Sequence, residues 1–353
     1  MKRRGLWLGV AVVLLALSAW LMSRGDKEKP TVRPPKVEFP RGANGEESSR
    51  NDKRRTLPPL PSKDEEGFRR RRDPMLVALP TDPKRSAMVF EVAALKESEL
   101  MKTWLDCVLA SNDRSAGDIE RFKQRFGIDP LDDIERVAMS TDKLLLMQGA
   151  MERANFDPEI WSSRTYGEKG VIYHDKNNGR VFATWGPDMM MMSGTSDSAE
   201  VIEDAIDRLE SPNPAEKPLI DDWRAYGDVY GVLSPDDLAK MLGKDQEALA
   251  AKIEQVVKHV DFHADVNDDV AMVADVGGNG DEEDMQDLAK SFGAALAVGR
   301  LKAQNDGDEK LAQLLDFAKV KPFTGAFTVD VALPYELLKD LGPCRKRANG
   351  DDD

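Results

Sequence analysis

Ile134-Glu135-Arg136-Val137-Ala138-Met139, Ser140-Thr141-Asp142-Lys143 and Leu144-Leu145-Leu146-Met147 follow one another near the middle of a 353-residue chain. Two apolar-rich runs joined by four turn-forming residues read as a β-hairpin. Val171 to His174, Arg180 to Trp185 and Met189 to Met192 extend the sheet, joined by Asn177-Asn178-Gly179 and Gly186-Pro187-Asp188. Upstream, Ala87 to Val92 reads as a buried strand. Leu100, Trp104, Cys107 and Val108 then recur at helical spacing, as do Ile119, Phe122 and Phe126, with Gly127 ending that helix. A helix from Ser198 to Leu209 closes this first unit, residues 86–211.

Ser211-Pro212-Asn213-Pro214 to Pro218 reads as a joint, and a second unit spans 219–342. It opens with a strand at Val229 to Leu233 and a helix after Ser234-Pro235. A helical stretch from Gln246 leads to strands at Val260 to Val266 and Val270 to Val276. Helices follow over 281–303 and 311–318, then a strand from Phe323 to Leu333 and a short helix from Pro334. The order of elements recurs, so the expected fold is α+β. It comprises two similar units, each with helices on one side of antiparallel sheet, preceded by a transmembrane helix and a disordered linker. Residues 343–353 read as a disordered tail.

The N-terminus sets the expected location. Lys2-Arg3-Arg4 precedes an uncharged apolar run from Gly5 to Ser23. About twenty such residues suffice to cross a bilayer as a helix. Residues 1–23 are therefore a membrane anchor or a cleaved signal. The length of the run and Trp20, Leu21 and Met22 beyond the small Ala16 and Ser18 favour the anchor. The basic head favours a cytoplasmic N-terminus, although Arg24, Lys27, Lys29, Arg33 and Lys36 crowd the other flank. The expectation is a single-pass protein of the bacterial inner membrane, with its C-terminal head in the periplasm or outside the cytoplasm. Residues 24–85 alternate prolines with charges and are nearly free of aromatics, the composition of a disordered spacer. Arg69, Arg70, Arg71 and Arg72 within it are candidates for contact with a membrane or another polyanion.

Charge divides the chain. The net formal charge is −14, yet residues 1–85 carry about +9, which leaves about −23 for the rest. A basic stalk bears an acidic head, which disfavours nucleic acid as a partner. Stalk, anchor and α+β units together resemble certain uncharacterised bacterial envelope proteins. The residues carrying the resemblance are Phe126 to Ile134 (FGIDPLDDI) and Gly325 to Pro334 (GAFTVDVALP). It implies no known activity and supplies no catalytic residues.

Candidate sites in the head each meet a geometric test. His259, Asp261, His263 and Asp265 interleave with Val260, Phe262, Ala264 and Val266, the alternation of a half-buried strand with a solvated polar face. On a strand the two histidines stand about 13 Å apart, too far to share one zinc ion. Neighbours two apart, at roughly 6.6 Å, need help from another strand to chelate. Asp275, Asn279 and Gly280 imitate a calcium loop, but Gly277 stands at its third position and Gln286 at its twelfth, where a bidentate carboxylate is needed. Met189 to Met192 alternate faces and read as core filling rather than a soft-metal site. No dinucleotide, phosphate-loop or nucleophile-elbow pattern stands in a supporting context, so no catalytic residue, resident metal or cofactor is expected. Cys107 and Cys344 are either one long-loop disulfide or two free thiols. The expected role is a non-enzymatic, membrane-tethered head contacting an envelope protein or the cell wall. The alternatives are a hydrolase or metal-dependent enzyme, and a binding module or chaperone for exported lipids or polypeptides.

Overall fold

The computed structural model describes residues 72–103, 105, 113–194, 199–213, 216–241, 247–266, 269–279 and 282–334. Residues 1–71, which hold the expected anchor and most of the linker, lie outside them, as do Cys107, Cys344 and the tail. Among the described residues no helix is long and apolar enough to cross a membrane.

The chain enters the fold before Ser86, where the linker was expected to end. Asp73-Pro74 is a helix start: the Asp73 carboxylate accepts from the backbone N–H of Met75, and Pro74 occupies the first turn. The helix α1 (Pro74–Ala78) and the residue after it bury Met75, Leu76, Ala78 and Leu79. That apolar content suffices to order the segment despite the prolines and charges around it.

The elements that follow are β1 (Ala87–Phe90), α2 (Val92–Glu97), α3 (Asp113–Phe126), β2 (Ile134–Ser140), β3 (Leu144–Gly149), β4 (Trp161–Tyr166), β5 (Gly170–Asp175), β6 (Val181–Trp185), β7 (Met189–Ser193), α4 (Glu200–Glu210) and β8 (Val229–Leu233). Together with α1 they make one compact unit. β2 and β3 form the expected hairpin, with Ala138 opposite Leu146. Residues of alternate parity fall on opposite faces of this sheet, and both faces are covered. Val89, Ala138, Leu146, Met189, Met191, Ala183 and Ile172 pack with α1 and α4 on one side. Met147, Met190, Phe182 and Trp161 pack with Phe126 of α3 on the other. The four methionines thus fill two cores, and Met189, Met190 and Met191 are fully buried.

The second compact unit contains α5 (Pro235–Met241), α6 (Glu247–Val256), β9 (Val257–Val266), β10 (Val270–Gly278), α7 (Glu282–Asn305), α8 (Glu309–Asp316), β11 (Ala318–Phe323) and β12 (Ala326–Leu333). Its strands pair as antiparallel neighbours in the order β11-β12-β10-β9. Ala303, Leu311, Ala312 and Leu314 form a small core of their own, with Val270 and Leu333 against it.

The expected pair of similar units is overturned. The eight strands of the first unit run in the order β8-β1-β2-β3-β7-β6-β5-β4, twice as many as the four of the second. β8, read from sequence as the opening of a second unit, pairs with β1 on the side opposite β2, with Ala87 between Val232 and Ser140. Tyr230 and Val232 are buried in the same core as Ala87 and Val89, which is what draws β8 there. Helices also cover both faces of the eight-strand part, not one.

Candidate functional site

β9 holds the four residues weighed as metal ligands. They share one face by register, and β10 brings Asp275 directly opposite Asp261 and Gly277 opposite His259. His259 and Asp261 meet, Nε2 to Oδ2, at 3.1 Å. Gly277 makes room for this: a Cβ there would stand 2.7 Å from His259 Cε1, so the imidazole lies across the glycine backbone. The strand has no solvated face of the kind expected, since His263 and Asp261 are 2% and 6% exposed. Alternation in sequence does not reveal whether the polar side is covered. Asp261, His263, Asp265 and Asp275 all have polar or electrostatic partners. Among the described residues no three His, Cys, Asp or Glu side chains come together as a metal ion requires. Asp275, Gly277 and Gly278 lie within β10, so the calcium-loop spacing falls on a strand. Arg72 is exposed; Arg69, Arg70 and Arg71 lie outside the described residues.

The most completely built polar centre was not anticipated. Arg136 on β2 is 3% exposed and spends all five N–H donors. Nε donates to Glu91 Oε1 at 3.1 Å; Nη1 donates to Asp73 Oδ1 at 3.2 Å and to Gln148 Oε1 at 2.9 Å. Nη2 donates to Asp73 Oδ2 at 2.8 Å and to the Tyr230 hydroxyl at 2.9 Å. The Tyr230 hydroxyl donates in turn to Glu91 Oε1 at 2.9 Å. Burial alone would disfavour the guanidinium charge, but Tyr230, Asp73 and Glu91 outweigh it and hold the arginine protonated. With no donor left for a ligand, this arrangement is a clasp. It ties the N-cap of α1, the end of β1, β2, β3 and β8 to one guanidinium. The sequence signal was Arg136 inside the apolar-rich run from Ile134 to Met139: a cation on a buried strand needs buried acceptors.

A third feature lies at the end of the sheet. β4 terminates the strand order, and Ser162, Ser163, Arg164 and Thr165 are exposed. The acidic helix α4 packs beside it. Arg164 reaches Glu203, and the Tyr166 hydroxyl donates to Asp207 at 3.1 Å. Glu210 accepts the backbone N–H of Glu168 at 2.6 Å and of Lys169 at 2.8 Å, and the Trp185 indole N–H at 3.2 Å. These bonds, the Glu168 N–H foremost, hold the Glu210 carboxyl below its ordinary value near 4.5 despite partial burial. A depressed carboxyl stabilises the fold above its ordinary range, and that contribution is lost as pH falls through the lowered pKa. Glu210→Gln is therefore expected to be less stable than the parent at pH 7. The gap in urea midpoint should close as pH drops below about 4.5. A gap that widens in acid would contradict this role.

No family model matches the chain, and no curated protein matches it. Solved structures titled as crystal forms of TP0453 are similar to it. Crystal form III shares 12% identity over 75% of this chain and 96% of that one, with a TM-score of 0.42. Crystal form IV shares 11% over 75% and 94%, with a TM-score of 0.43.

Proposed function

We propose that the chain is a membrane-tethered protein of the bacterial cell envelope, anchored through residues 5–23, whose acidic head contacts other envelope polypeptides outside the cytoplasm. The observation that carries this reading is the clasp at Asp73. The basic stalk, about +9 over residues 1–85, joins the head at the residue where α1 is capped and where Arg136 bonds both carboxylate oxygens. A junction fixed by a buried, bidentate ion pair passes any pull on the stalk into the middle of a sheet rather than into a fraying end. The uncharged run from Gly5 to Ser23 supplies the other end of the tether.

The test is topology in intact cells. With a reporter fused after Asp353, protease added once the outer membrane has been made permeable is expected to digest the head. The head should stay with the membrane fraction in high salt. A head protected until the inner membrane is dissolved would overturn the reading.

A further inference from the structure

We propose that β4 is a strand-addition site for an extended polypeptide bearing basic side chains at alternate positions. This deepens the reading of the head as a contact module by naming the surface and the chemistry of its partner. The Lys176 N–H donates to the Ile160 carbonyl at 3.0 Å, which fixes the phase of the β4–β5 ladder. With Ser162 opposite His174 and Arg164 opposite Ile172, those pairs face inward. Ser163 and Thr165 consequently turn their N–H and C=O groups outward, on residues that are exposed. An edge of this kind is a template for another strand unless it is blocked.

The terminal strands β4 and β11 of the two units are treated differently. β11 carries Lys319, Lys321 and Pro322, the residue types that deter pairing. β4 has neither lysine nor proline. Its one charge, Arg164, is turned onto the face of the sheet, where it pairs with Glu203 and stacks 5.3 Å from the Tyr166 ring centroid. Recognition would come from α4, on that same face. Glu203, Asp207 and Glu210 of this helix contact β4 and the turn after it. A strand added about 4.8 Å outside β4 would set every second side chain toward this helix. Lysine or arginine at those positions matches the field. A second copy of the chain does not: antiparallel pairing of two β4 edges places both α4 helices on one face, acid against acid.

The test uses the full-length chain in detergent micelles with three synthetic octapeptides: alternating Thr-Lys, alternating Thr-Glu, and Thr-Lys with proline at each threonine. The Thr-Lys peptide is expected to slow amide exchange at Ser163 and Thr165 at least tenfold while leaving Ser162 and Arg164 unchanged. The other two peptides should not. Thr165→Pro removes one outward N–H without touching the β4–β5 ladder. It should weaken binding at least tenfold, and the pair Glu203→Gln with Asp207→Asn should weaken it several-fold and flatten its salt dependence. Equal protection by the Thr-Glu peptide, or none by any peptide, would overturn the proposal. So would protection without peptide, which would assign the edge to a second copy if it rises with protein concentration and to this chain's own stalk if it does not. Failure here with the head outside the cytoplasm sinks the strand-addition site alone. Peptide protection with the head inside sinks the envelope reading alone.

Discussion

Arg136→Met is expected to cost about 3–5 kcal/mol in urea unfolding followed by tryptophan fluorescence, among the largest single-residue losses in the chain. The number follows from what is left behind. Methionine fills much of the arginine's volume, so packing changes little. Asp73 and Glu91, 1% and 4% exposed, lose their shared counter-charge and retain their own desolvation cost. Gln148 and Tyr230 each lose a donor as well. Arg136→Lys keeps the charge but offers three donors from a single point where five are used, so it should recover only part of the loss. The triple variant Arg136→Met, Asp73→Asn, Glu91→Gln separates charge from shape. It should be more stable than Arg136→Met alone, because neutral amides tolerate burial better than orphaned carboxylates. A loss below about 1 kcal/mol for Arg136→Met would mean that water reaches the carboxylates and that the clasp is not closed.

What was legible in the sequence followed from burial. The β2–β3 hairpin, the strands through Met192 and the Val257–Gly278 pair all show apolar residues at strand spacing, because at least one face of each meets a core. β4 and β11 were not anticipated, and each ends the strand order of its own unit. Trp161-Ser162-Ser163-Arg164-Thr165-Tyr166 and Ala318-Lys319-Val320-Lys321-Pro322-Phe323 bury almost nothing in their central residues, so no period-two apolar signal exists to read. The strand proposed for partner binding is hidden from sequence for the very reason that it is available. β8 was visible as a strand but not as a neighbour of β1, since about 140 residues separate them and pairing across that distance leaves no local trace. The Asp73-Pro74 helix start was readable and was masked by the composition of its flanks. The polar row of β9 shows the opposite limit: alternation was seen correctly, and its polar face was taken for solvent although Asp261 and His263 are buried.

Phe126→Ala should produce a loss of comparable size, about 3–5 kcal/mol, by a different mechanism. Phe126 is the last residue of α3 and is 3% exposed. Its ring centroid lies 4.7 Å from Phe122, 4.9 Å from Phe182, and 5.8 Å from both Phe156 and Trp161. These distances fall in the range where tilted and edge-to-face aromatic pairs add to area burial. The neighbours come from α3, β4, β6 and the loop before β4, so one small motion cannot close the hole that truncation leaves. Gly127 also pins the ring from the C-terminal side. Its φ of +72° turns the chain out of the helix, and its N–H donates to the Lys123 carbonyl at 2.8 Å. Phe126→Leu keeps most of the volume but none of the ring contacts and should cost roughly half as much. Met191→Ala probes the opposite core of the same strands, where it packs with α1 and α4. Phe126 and Met191 belong to separate clusters, so the double variant should lose close to the sum of the single losses. A double variant clearly less damaged than that sum would show that the two faces are not independently packed, and the description of the eight-strand part as a sheet with two separate cores would fail.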